Sequence, residues 1–202
     1  MDVLSFFEGD KTEKMHFSCQ SCGTCCRIYN VPVTESDIYR ITNFIGKSPE
    51  AFSTIVRPDK SVADTYADIP KIKINGAEDN VLALMQDEES CIFLHDNKCN
   101  IYRARPLVCK PFPFYYSIEN QRAVKFTVND DAPGFCRGLG KGSKEFDFNG
   151  LRKSVLLMEK ESSVFRKKVK RWNDLVASER INTPNVKDLL EFLLSDMEHI
   201  PS

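Results

Sequence analysis

Apolar residues recur along the chain at two spacings, and the switches between them mark the elements. Ile38, Ile41 and Ile45 fall on one helical face, and the preceding Thr34-Glu35-Ser36-Asp37 has the form of a capping box. The pattern predicts a helix from Thr34 to about Ile45, stopped at Gly46. Ser48-Pro49-Glu50 predicts a second short helix, because proline suits the first helical position. Pro58 to Asp68 is polar and reads as a loop. The period then drops to two. Ile72 and Ile74 alternate with lysines, and Val81 to Met85 follow a Gly- and Asp-containing turn, which predicts a β-hairpin. Phe112 to Ile118 and Arg122 to Val128 predict another around Glu119-Asn120-Gln121. Between them, Cys91 to Cys109 has no period, and Pro106, Pro111 and Pro113 punctuate the region. Gly138-Leu139-Gly140-Lys141-Gly142-Ser143 reads as a flexible connector.

Helical spacing returns after the connector. Leu151, Val155, Met158, Phe165, Val169, Trp172 and Val176 describe one long amphipathic helix, with Ser162 as its polar interruption. Thr183-Pro184 predicts the cap of another, whose apolar face is Leu189, Leu190, Leu193, Leu194 and Met197. The fold class expected is α+β. An irregular cysteine-rich core with short helices and β-hairpins spans 17–142, and a helical C-terminal extension, 150–202, packs on it.

Composition changes this picture at one point. The 202 residues are 42% hydrophobic and 28% charged, an ordinary globular mix that excludes a mainly disordered chain. A net charge of −1 gives no bulk attraction to nucleic acid or membrane, so neither is an expected partner. No apolar run reaches the ~18 residues of a membrane span, and the first ten residues lack the basic head and apolar core of an export signal. The expectation is a cytoplasmic protein. Eight cysteines stand out. At about 4% they fall short of the ~8–10% of a disulfide-built miniprotein, and a chain of this length buries a core without staples.

The cysteines are not spread evenly. Cys19, Cys22, Cys25 and Cys26 occupy eight residues, while Cys91, Cys99, Cys109 and Cys136 complete the set and the last 66 residues have none. Two-residue spacers let successive thiolates converge, as zinc knuckles and iron–sulfur loops require. Three cysteines at that period are closer to the ferredoxin run than to a zinc ribbon's separated pairs, although Cys26 stands where no Cys-Pro follows. Neighbouring side chains tend to diverge, so Cys26 is expected to serve a second centre or to stay outside the first. Four plus four is the simplest count for two centres; one [4Fe–4S] cluster with spare thiols is the rival count. Four thiolates around zinc, or around such a cluster, leave a charge of about −2 that is costly to bury. Arg27, Arg103, Arg105, Lys110 and Arg137, each within six residues of a cysteine, are candidates to screen it; the alternative for each is an ordinary surface residue.

The strings Cys19-Gln-Ser-Cys22-Gly-Thr-Cys25-Cys26-Arg27, Cys99-Asn-Ile-Tyr102-Arg-Ala-Arg105-Pro106-Leu-Val-Cys109-Lys-Pro-Phe112-Pro113 and Cys136-Arg-Gly138 resemble the YkgJ-type cysteine-cluster family. That family is described as a zinc- or iron-chelating domain with a CxxCxxCC signature, and a related cluster occurs in flagellin lysine N-methylases. The resemblance covers about residues 17–142. It implies a metal or iron–sulfur site built from Cys19, Cys22, Cys25, Cys26, Cys91, Cys99, Cys109 and Cys136, without settling an activity. Within the shared pattern, Arg105 is expected to pair with a carboxylate or backbone carbonyls, with an anion-binding role as the alternative. Pro106 fixes the turn that delivers Cys109. Phe112-Pro113-Phe114 is expected to pack around the site and exclude water.

The remaining features carry less. His16 and His95 lie near cysteines and are secondary ligand candidates; His199 is not. No HExxH, nucleophile elbow, Rossmann fingerprint or Walker loop is present. Residues 150–171 hold eight basic and two acidic residues, ending in Arg166-Lys167-Lys168-Val169-Lys170-Arg171-Trp172. A solvated helix face accounts for this better than a nucleic-acid contact. The leading functional expectation is a [4Fe–4S] protein working in redox chemistry or in modification of a protein or small substrate, with an unknown redox partner or protein substrate. The alternative is a zinc-stabilised, non-catalytic binding module.

Overall fold

In the computed structural model of the protein, residues 15–58, 68–74, 76–88, 90–119, 123–130, 132–142 and 146–197 are described. The architecture is α+β. A short helix, α1 (Thr24–Ile28), leads to α2 (Glu35–Ile45). Three strands follow, β1 (Ser53–Val56), β2 (Ile72–Ile74) and β3 (Ala77–Leu84), forming one antiparallel sheet in the order β1-β3-β2. Central β3 carries an unbroken buried run from Asn80 to Leu84, as a strand covered on both faces must.

Helix α2 begins and ends where its sequence predicts. Thr34 accepts the Asp37 N–H, Asp37 accepts the Thr34 N–H, and Gly46 closes the last turn onto Thr42. The expected second short helix is only a 3₁₀ turn, Pro49–Ala51. The run Ser53-Thr54-Ile55-Val56, β-branched at its last three positions, then enters the sheet, pairing Val56 with Val81 and Ser53 with Leu84. The Ile72/Ile74 hairpin forms as predicted. The polar loop lies largely outside the described residues.

Cys91 to Cys109 is not irregular throughout. One small ladder, β4 (Gln86–Asp87) with β5 (Ser90–Cys91), leads into it, and a second, β6 (Leu94–His95) with β7 (Lys98–Cys99), lies within it. In the second, Asp96 and Asn97 both take left-handed backbone, φ 49 and 60, the geometry of a two-residue hairpin turn. Strands β8 (Phe114–Glu119) and β9 (Ala123–Val128) pair as expected, and the residues turning between them lie outside the described set. A four-residue helix, α3 (Ala132–Phe135), precedes Cys136.

The long helix α4 (Phe148–Ala177) starts on Asp147, whose carboxylate accepts the N–H groups of Asn149 and Gly150. Helix α5 (Val186–Leu194) is capped by Asn185, which accepts the Asp188 N–H, rather than by Thr183-Pro184. It ends before Met197. A single core joins these helices to the sheet: Phe165, Val169, Trp172, Leu189, Leu190 and Leu193 pack with Ile38, Ile41, Phe52, Ile72, Ile74 and Leu82. The Trp172 indole N–H donates to the Lys73 carbonyl at 2.9 Å, and Arg40 holds Glu161 at 2.7 Å. Within the basic run, Lys168 is bound to Asp196 and to the Leu193 carbonyl, and Lys170 to Asp174. Among the described residues no helix is long and apolar enough to cross a membrane.

Candidate metal centre

The cysteines are carried by five short pieces of chain, each pinned by hydrogen bonds or packing. The first is the turn into α1. Gly23 adopts φ +71, and a Cβ there would stand 2.6 Å from the Arg27 guanidinium and 2.9 Å from Leu94, so only glycine fits. The Cys26 N–H closes onto the Gly23 carbonyl at 3.1 Å. Past Tyr29 the chain is clamped to the sheet edge by Val33 N–H to Leu82 and Leu84 N–H to Val31. Helix α1 thereby lies against β5, which ends in Cys91.

Cys99 ends the β6–β7 hairpin, whose Asn97 side chain accepts from Arg27 at 2.8 Å and so ties the hairpin to the first turn. Cys109 sits on a 3₁₀ turn, Leu107–Cys109. That turn is held from α2: the Asp37 carboxylate accepts the Leu107 N–H at 3.0 Å while also taking Thr34 and Arg40. One cap residue thus fixes both a helix and a cysteine.

Cys136 follows α3, and here the flexible connector proves to be paired. Ser18 N–H donates to Gly138 at 3.1 Å, Gly140 N–H to His16 at 2.9 Å, and Phe17 bridges Leu139. A Cβ on Gly138 would meet the Ser18 carbonyl at 2.5 Å, so the close approach requires glycine. The physical reason for the correction is that this glycine-rich stretch supplies space for a neighbouring backbone rather than freedom. Its effect is to bring Cys136 beside Cys19 and Cys22.

Two sides of the cysteine assembly emerge. Cys26, Cys91, Cys99 and Cys109 pack against the hydrophobic core. Cys19 is exposed, and Cys22 and Cys136 line two adjoining open hollows. Cys25 stands between, feeling both Cys26 and Cys22. The electrostatics link the two sides. Burial pushes the Cys109 thiol well up, with Cys91 and Cys25 adding to it. Burial also raises Cys91, which feels Cys99 and Cys25, and Cys99, which feels Cys25 and Cys19. Burial is the first cause for Cys136 too, and its thiol neighbours are Cys22 and Cys19. Cys22 is shifted the other way: the Thr24 hydroxyl at 3.3 Å and the Thr24 N–H lower it, with a further contribution from Arg137.

Four of these five shifts, all but that of Cys109, contain a backbone donor that favours thiolate. Backbone N–H groups of Thr24, Phe93, Ile101 and Gly138 are directed at Cys22, Cys91, Cys99 and Cys136, in every case from two residues further on. Sulfurs so provided are suited to carry charge once a cation offsets their mutual repulsion, and such donors tune the metals that thiolates hold. All eight thiols are free, so the donor set is soft sulfur, the set preferred by zinc, iron–sulfur clusters and copper(I). Among the described residues no three His, Cys, Asp or Glu side chains already surround one ion position. Thiols gathered in this way close only when metal compensates their charge.

The expected divergence of Cys25 and Cys26 does not occur. Their sulfurs stand 3.9 Å apart in S–H···S contact, and this contact is the first cause of the raised Cys25 thiol.

Of the other predicted residues, Arg105 stacks its guanidinium on the Tyr102 ring at 4.2 Å and lowers Cys99 and Cys109 electrostatically. Phe112 lies between Tyr29 and Phe135, at the two helices that flank Cys25 and Cys136, whereas Phe114 belongs to a separate cluster with Phe17, Phe146 and Phe148. The His16 ring is bonded to the Gly142 carbonyl, His95 is exposed on β6, and His199 is outside the described residues. Thr24, Asn97 and Asp37 were not singled out as site residues. For Asn97 the signal existed, since Asp96-Asn97 between alternating residues is a hairpin pair.

A family model titled CxxCxxCC and described as "Putative zinc- or iron-chelating domain" matches residues 18–137. Among curated proteins, the chain is similar to the uncharacterized protein MJ0661 of Methanocaldococcus jannaschii, at 28% identity over 178 residues, covering 85% of this chain and 86% of that one. No solved structure matches.

Proposed function

Because the chain belongs to the CxxCxxCC family of zinc- or iron-chelating domains, we propose that the metal it binds is iron, held as a [4Fe–4S] cluster, and that the protein works in redox chemistry or in modification of a protein or small substrate. Cys25, whose charge Cys91, Cys99 and Cys109 all feel, would hold the cluster with those three, Cys26 standing outside it beside Cys25, and Cys19, Cys22 and Cys136 would form a second, open centre. Such a cluster supplies one-electron transfer at a potential set by hydrogen bonds to its sulfurs and by solvent access. The chain's own part is to exclude water on the core side and to aim backbone N–H groups at the sulfurs. One observation carries the reading: Cys91, Cys99 and Cys109 pack against the core and each feels Cys25, while Cys19 is exposed and Cys22 and Cys136 line solvent hollows. A purely structural site is closed by four ligands, whereas three ligands at an open face leave a position for chemistry.

A second reading has its own support. Two sulfurs on one tetrahedral zinc, with bonds of about 2.3 Å, stand about 3.8 Å apart, and the Cys25–Cys26 separation is 3.9 Å. A zinc-stabilised binding module would use this pair on a single ion. Anaerobic purification with metal and sulfide analysis separates the two. Brown protein with about four irons and four labile sulfides per chain is expected for the cluster. Colourless protein with one or two zincs and no sulfide would overturn it.

A further inference from the structure

The larger hollow beside the cysteines has a chemistry of its own. It encloses about 730 Å³, within the range of small-molecule sites. Arg27, Arg137 and Lys141 stand on its wall with Cys22, Thr24 and Asn97. Among the described residues that line it there is no carboxylate, no aromatic ring and no aliphatic side chain. Three cations face one space in a chain whose net charge is −1, so the positive potential is local and not a property of the whole surface.

The three cations are also available. Arg27 is held by neutral partners, donating to the Cys22 carbonyl at 3.3 Å and to Asn97 at 2.8 Å, which orients the guanidinium without neutralising it. Neither Arg137 nor Lys141 makes an ion pair among the described residues. Arg137 borders both hollows, and the second, of about 320 Å³, adds Phe135, Pro133 and Cys136. Guanidinium groups pair with carboxylate and phosphate through parallel hydrogen bonds, and a lysine adds a point charge.

We propose that this hollow is a binding site for a small, multiply charged oxyanion, with Arg27, Arg137 and Lys141 as its ligands and Cys22 on its wall. The absence of a ring to stack on among the lining residues disfavours a nucleobase and selects a compact phosphate ester or dicarboxylate. The site sets such a ligand against the solvent-facing thiols, and its charge recognition does not depend on which metal those thiols hold. The competing account is that the cations only balance thiolate charge.

The test uses the full chain purified anaerobically with whatever metal it carries, metal and sulfide being measured on every sample. Pyrophosphate and succinate, titrated separately by calorimetry at low ionic strength, represent the two sources of oxyanion. Saturable binding of one or both is expected, with the stronger probe naming the class. Arg137→Gln and Lys141→Gln, both at exposed positions, should each weaken it about tenfold or more, the loss of one charge-assisted contact, with metal content as in the wild type for Lys141→Gln. Absence of saturable binding in a chain that retains its metal would overturn the inference and leave the metal reading untouched. So would binding unchanged in both variants, or variants that lose metal without any change in anion affinity.

Discussion

Asp37 is the residue on which helix and metal site meet, and removing its carboxylate has a cost that can be worked out bond by bond. The side chain is buried, 3% exposed, and accepts from the Thr34 N–H and hydroxyl at 3.1 Å, from Arg40 at 2.6 Å and from the Leu107 N–H at 3.0 Å. In Asp37→Ala the buried Leu107 N–H loses its partner, a penalty of about 1–3 kcal/mol. Half of the capping box goes with it, about 0.5–1 kcal/mol. Arg40 keeps Glu161, so the ion pair is only thinned and contributes no more than about 1 kcal/mol. The sum is roughly 1.5–5 kcal/mol, or about 3–20 °C in Tm for a chain of this size. Urea unfolding followed by the fluorescence of the single, buried Trp172 measures it directly. Asp37→Asn keeps an oxygen for Leu107 and should lose less than half as much. Because Leu107 begins the turn that carries Cys109, Asp37→Ala should also surrender its metal to a chelator faster than Asp37→Asn. A loss below about 1 kcal/mol, or equal losses in the two variants, would refute the assignment of Asp37 as the link.

Three other outcomes are expected. Cys109→Ser should abolish the visible spectrum and most of the bound metal, whereas Cys136→Ser should remove only the part held by the solvent-facing thiols; identical losses on metal analysis would mean one indivisible centre. Gly138→Ala should push the 16–18 segment away from Cys136, and thiol-alkylation kinetics should show Cys19 and Cys136 reacting faster than in the wild type. Glu35 is buried, with one carboxylate oxygen unpartnered, Lys168 at 3.6 Å and Asp196 beyond it. Burial raises its pKa above the ordinary 4.5, so the folded state holds this proton more tightly than the unfolded chain. Its contribution to stability is therefore fullest below about 4.5 and is lost as the pH rises through the raised folded value. Glu35→Gln should flatten that fall in unfolding free energy, and an unchanged slope between wild type and variant would contradict it.

The helices were legible because their signals are local. Thr34 and Asp37 are three residues apart, and the α4 face repeats every turn, so spacing alone identifies both. The strand β1 was not read because Pro49 announces a helix that the β-branched residues after Ala51 do not continue. What sequence could not supply were meetings between distant segments. That Gly138 serves Ser18, that Asp37 serves Leu107, and that Arg27 reaches Asn97 depends on packing, and none leaves a periodic trace. The eight cysteines were identifiable as a set from their clustering. Their division into core-facing and solvent-facing thiols depends on which distant segments each short piece of chain packs against, which spacing does not encode.

The pairing of residues 16–18 with 138–140 has a consequence for how the protein is made. His16 and Gly142, bonded across the site, are 126 positions apart, and contacts of such separation form late because loop closure must precede any return. During synthesis Cys19 and Cys22 leave the ribosome first and wait while more than a hundred residues are added. Until Cys136 emerges, those thiols have neither their neighbour nor the backbone strap that positions it. The solvent-facing thiols are thus brought together only after the segments between them have been made, and an early encounter with oxidant falls on Cys19 and Cys22.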